Sequence, residues 1–133
     1  MTEVIQAIIP DAGWIEDWQH FEGYRIQTDK QQILIGISSG QSCCEETGYF
    51  STNDSPQDFV GATLTGIKLT DISLNTEMIN KRFEYGFDGG GIQFVDLETD
   101  RGTFQIAVYN AHNGYYGHDI RVTSEQLKYE DVL

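Results

Sequence analysis

A chain of 133 residues with 39% hydrophobic and 12% aromatic residues has enough material for one buried core, which argues against global disorder and against a fold that needs disulfide staples. Eight Lys and Arg stand against 21 Asp and Glu, a formal charge of −13, although only 22% of residues are charged, so the acidity comes from scarce bases and not from acid runs. Such a field repels free nucleic acid and anionic membranes, and it attracts a basic protein groove.

The N-terminal part is the more negative, with ten acids and two bases in residues 1–60 against eleven and six in 61–133. No segment approaches the roughly 18 apolar residues of a membrane span, and none has the form of a secretion signal, so a soluble, cytoplasmic protein is expected. The two cysteines, Cys43 and Cys44, are adjacent and fit a reducing compartment.

In chain order, residues 1–20 read as an N-terminal extension or short helix, with Asp11 capping a turn that carries Trp14, Ile15 and Trp18. "YRIQT" and "ILIGI" alternate on either side of a polar turn and predict a hairpin. A Gly/Ser/Cys loop follows, and in "SPQDFVG" Ser55 and Pro56 start one helical turn. Residues 62–74 form a strand whose apolar side switches at Gly66, as a bulge would cause. Residues 75–91 read as irregular. "IQFVDLET" and "TFQIAVY" repeat the hairpin pattern, and "HDIRV" is a short strand before the tail 124–133. The expected object is one domain, 1–133, with a β core over 21–123. It is mainly β: an antiparallel sheet or small open barrel or sandwich of five to seven strands, with one or two helical turns.

A shift of 71 positions lays Thr28-Asp29 on Thr99-Asp100 and Lys30 on Arg101, and it matches Ile33, Ile35 and Ile37 with Phe104, Ile106 and Val108. Either two hairpins share a common turn, or the chain holds a duplicated half that brings "CCEETGYF" close to "NAHNGYYGH".

Three chemistries compete for these residues. Cys43, Cys44, His112 and His118 offer zinc-type ligands, but adjacent cysteines lack the spacing of a zinc knuckle. A cysteine nucleophile activated by histidine would sit beside Glu45 and Glu46, which disfavour the thiolate. "DGGGIQF" lacks the Lys-Ser/Thr of a phosphate loop, although Arg82, Arg101 and Arg121 could build one anion pocket, especially across an oligomer interface. The loop "YNAHNGYYGH" has the composition of a rigid turn or of a recognition surface.

The runs "FEGYRIQTDKQQILIGISSGQSCCEETGYF", "FVGATLTGIKLTDISLNT" and "FVDLETDRGTFQIAVYNAHNGYYGHDIRV" resemble a family of small uncharacterised acidic domains found mainly in bacteriophages and prophages, with "SCCE" and "YNxHNGYYGH" as its distinctive motifs. The resemblance carries no catalytic residue. It implies a phage-type accessory protein, and small acidic phage proteins often occupy the basic nucleic-acid channel of a host defence enzyme. The expectation is therefore a non-enzymatic, cofactor-free, anti-defence inhibitor of the anti-CRISPR or nucleic-acid-mimic kind, whose partner is a basic host protein and neither nucleic acid nor membrane. Its expected contact residues are Tyr115, Tyr116, Asn113, His112, His118, Tyr49, Glu45, Glu46, Asp54 and Asp58. The alternatives are a sponge for a nucleotide immune signal and a small metal- or cysteine-dependent enzyme.

Overall fold

Alternating apolar residues, interrupted by Thr-Asp turns and bulges, set the architecture of this chain. The structure is a computed structural model that describes residues 2–39, 45–53, 55–83, 91–112 and 117–133, with only the backbone described at 45, 46 and 112. The described strands are β1 (Glu3–Glu16), β2 (Gln19–Thr28), β3 (Gln32–Ser38), β4 (Glu45–Ser51), β5 (Thr63–Thr70), β6 (Gly91–Thr99), β7 (Gly102–His112), β8 (Asp119–Thr123) and β9 (Lys128–Val132). A 3-10 turn spans Pro56–Phe59, and one helix, α1, spans Thr76–Arg82.

The described strands form one antiparallel sheet in the order β4-β7-β6-β5-β1-β2-β3-β8-β9. Its two wings meet where β1 and β5 pair through only Glu3–Leu64 and Val4–Thr63. They fold over a shared core: Ile26, Ile33, Ile35, Ile37, Ile120 and Val122 from one wing join Val95, Leu97, Phe104, Ile106 and Val108 from the other. Tyr24 bridges the wings, with its ring edge-on to both Tyr49 and Phe104. Each fully buried aliphatic side chain contributes about 1.5–3 kcal/mol, so this seam dominates stability. On the outer face of the second wing, Phe50, Phe94 and Tyr109 form a smaller cluster with Met78, Ile79 and Phe83 from α1 and its C-cap.

Exchanging β1, β2, β3 and β4 with β5, β6, β7 and β8 maps the order of those eight strands onto itself, with each fourth strand pairing on the opposite unit. The two Thr-Asp turns are built alike. Asp29 Oδ1 accepts from the Val4 N–H at 2.8 Å, and the Asp29 N–H returns a bond to the Val4 carbonyl at 3.1 Å. Asp100 does the same with Thr63, at 2.9 and 3.1 Å. In both turns the threonine Oγ1 accepts at 3.1 Å from the N–H of the basic residue two positions on. The 71-residue match thus coincides with a pseudo-twofold centred on the Val4–Thr63 pair.

Nine described strands replace the five to seven expected. The difference lies in β1, β4 and β9, which the sequence reading had as an extension or helix, a loop and a tail. In β1, register shifts between Ile5 and Ala7 and between Ile9 and Ala12 break the alternation that would have marked a strand. The helix capped by Asp11 is absent, because Asp11 adopts φ 55 at the second of those bulges. The 3-10 turn at Pro56 and the bulge before Gly66 stand where they were expected. Helix α1 falls in the stretch read as irregular. Asn75 caps it by accepting from the Met78 N–H at 3.1 Å, yet none of its residues is fully buried, so it carries no strong apolar stripe.

Candidate docking surface

The β1–β2 hairpin closes with Glu16 opposite Gln19, leaving the two-residue turn Asp17-Trp18. Both turn residues have positive φ, 50 and 65, the geometry of a primed hairpin turn that Asn-Gly fills without strain. Here the second position is a tryptophan, and its side chain is 99% exposed. Ile15, one residue before the closing pair, is 66% exposed.

The base of the hairpin is braced by Arg121 of β8. Its side chain is 9% exposed and lies 3.5 Å from Glu16, 3.5 Å from Asp17 and 3.7 Å from Glu130. The guanidinium also stacks over Phe21 at 5.1 Å, and Phe21 in turn stacks on Trp14 at 5.9 Å. Gln19 adds a 2.7 Å bond to Asp119 at the start of β8. One buried cation is thus ringed by three carboxylates, with Asp119 and Asp131 beside them, so the rim stays net negative. Asp131 is held below the usual carboxylate range by the Tyr129 hydroxyl and the Val132 N–H, while Tyr129, bonded to Asp131 and partly buried, is pushed up to about 12.

Behind the tip lies a groove of about 520 Å3, bordered by Gly13, Ile15, His20, Glu22 and Ser39. Trp14 and Phe21 also line it, and the Trp14 ring crosses the Gly23–Gly36 pair so closely that a Cβ on Gly36 would sit 2.5 Å from it. At the bulge, Asp11 Oδ1 accepts from the Tyr49 hydroxyl at 2.6 Å, which ties the hairpin arm to β4. Burial first, and then this carboxylate, push the Tyr49 phenol well above its ordinary value, so it stays a protonated donor.

The four arginines of the chain all serve internal contacts. Arg101 donates to the carbonyls of Asp58 and Val60 at 2.9 and 3.0 Å, and Arg82 lies over Phe50 at 4.6 Å and donates to the Tyr109 hydroxyl at 3.3 Å. Arg25 reaches the Gly13 carbonyl at 3.4 Å, and Arg121 is the brace already described. By contrast, only Glu3 and Asp96 are buried among the acids whose side chains are described.

The residues singled out from sequence are scattered over this frame. Tyr49 is a half-buried link between the wings, and Asp58 is an exposed member of the 3-10 turn. His118 is buried, with Nδ1 3.1 Å from the Ser38 carbonyl and 3.2 Å from its hydroxyl. The backbones of Glu45 and Glu46 pair with His112 and Ala111, so the strands that follow the cysteines and precede "NGYY" run side by side. Cys43, Cys44, Asp54, Asn113, Tyr115 and Tyr116 lie outside the described residues. Among the described residues no group of three or more His, Cys, Asp or Glu is placed to hold a metal ion. The hairpin tip was not legible as a contact element, since Asp-Trp lacks the Gly or Asn that signals such a turn.

None of the described helices is long and apolar enough to cross a membrane. No curated protein matches the chain. No solved structure matches it either. The family model of a domain of unknown function, DUF7448, matches residues 4–122, and the chain belongs to that family.

Proposed function

We propose that the chain is a non-enzymatic binding protein of phage type, which docks its acidic surface on a basic, nucleic-acid-binding host protein and blocks it. The observation that carries this reading is the asymmetry of its charges: all four guanidiniums are committed to internal contacts, while most described carboxylates face water. A surface with that balance gains from a groove that normally holds phosphates, and long-range attraction speeds the encounter. The nucleotide-sponge reading has less behind it, because Arg82, Arg101 and Arg121 each already hold partners in separate parts of the chain.

Capture from a host lysate on immobilised chain, at low and at high salt, tests the proposal. Basic nucleic-acid-binding proteins held at low salt and released at high salt are the expected result. Recovery of a nucleotide in place of protein, or capture indifferent to salt, would refute it.

A further inference from the structure

The proposed function names a charge balance but no contact element, and the β1–β2 hairpin supplies one. A tryptophan at φ 65 with 99% of its surface in water is disfavoured twice, by backbone strain and by loss of hydrophobic burial. The backbone that carries it is braced nonetheless. The Arg121 contacts to Glu16 and Asp17 fix the flanks of the turn, and the Phe21–Trp14 stack stiffens the strands beneath. An aromatic side chain with two torsions on a braced backbone loses little freedom on docking, which is how interface anchors gain their energy.

Its surroundings state what it would meet. Glu16 and Asp17 precede it in the hairpin, Glu22 borders the groove behind it, and Asp119 and Glu130 stand beside the brace. These charges oppose a phosphate backbone or an anionic bilayer, and they favour guanidinium groups, which also stack on the face of tryptophan.

We propose that the β1–β2 tip is the element that enters the partner, with Trp18 stacked on arginine side chains of an arginine-rich protein groove and the groove bordered by Ile15 and Glu22 receiving one of them. This inference rests on the acidic-docking reading and locates it. Trp18 serves as the anchor, and the exposed carboxylates of Asp17 and Glu22 receive the incoming guanidiniums.

The two indole N–H groups make the test direct in the intact protein. Trp14 Nε1 is buried, whereas the Trp18 side chain is open to solvent, so their nitrogen–proton NMR signals are separable by solvent exchange and assigned with Trp18→Ala. The probes are nona-arginine, single-stranded DNA and phosphatidylglycerol vesicles. On addition of nona-arginine at low salt, the exchanging indole signal should move, and Trp18→Ala should bind about ten-fold more weakly while keeping its melting temperature. Binding of nona-arginine with an unmoved Trp18 signal and an unaltered affinity in Trp18→Ala would overturn the tip assignment and leave acidic docking standing. No binding of nona-arginine at all would overturn both. A response to DNA or vesicles in its place would overturn the assignment of the partner's chemistry.

Discussion

At the scale of single residues, buried polar groups are matched closely enough that their removal has predictable signs. Glu3 is buried beside the wing junction, and its carboxylate accepts from Thr28 at 2.6 Å, Gln31 at 2.8 Å and Gln126 at 2.9 Å. Burial alone would raise its pKa, but these bonds outweigh burial and hold it below the ordinary value of 4.5. A carboxyl depressed in the folded state stabilises the fold above its unfolded pKa, and that contribution fades as pH falls through the folded value. Glu3→Gln should therefore cost about 1–2 kcal/mol at neutral pH, with the gap to the parent protein narrowing below about pH 4 in thermal melts. Gln105, fully buried, uses both ends of its amide: it donates to Asp96 and the Ile72 carbonyl and accepts from Thr52 and the Leu74 N–H. Gln105→Leu strands all four partners and should destabilise by about 2–4 kcal/mol in chemical denaturation. Trp18→Gly should act in the other direction, raising the melting temperature slightly, because glycine relieves the positive φ at a site where no packing is lost.

At the scale of elements, the hairpins and turns divide into those with a chemical signature and those without. The β2–β3 and β6–β7 hairpins were readable because Thr-Asp-basic turns sit between clean alternations such as Ile33, Ile35, Ile37 and Phe104, Ile106, Val108. The β1–β2 hairpin was not, since its bulges at Gln6 and Pro10-Asp11 shift the alternation and its turn, Asp17-Trp18, uses neither Gly nor Asn. Strand β9 was hidden because its burial is slight and its side chains alternate little in polarity. The twin turns give a test of the pseudo-twofold. Asp29→Ala and Asp100→Ala each remove the acceptor for one junction N–H, so they should lower stability by similar amounts, about 1 kcal/mol each. Unequal losses would mean that the two junctions, alike in geometry, carry different loads. Removing the brace with Arg121→Ala should speed amide exchange over β1 and β2 near the tip more than over β6 and β7, because it leaves three carboxylates facing one another there.

At the scale of the whole molecule, the fold is a doubled four-stranded unit whose arginines all have partners within the chain and most of whose described acids face water. The charge excess was plain in the composition, but its placement was not, because which guanidiniums face carbonyls, rings or carboxylates depends on contacts between distant strands. The measurement that bears most directly on acidic docking is the association rate of the chain with the protein it captures, followed as ionic strength rises. Steering by the acidic surface predicts a rate that falls by about ten-fold or more from low to physiological salt, with the dissociation rate nearly constant. An association rate flat in salt would contradict it.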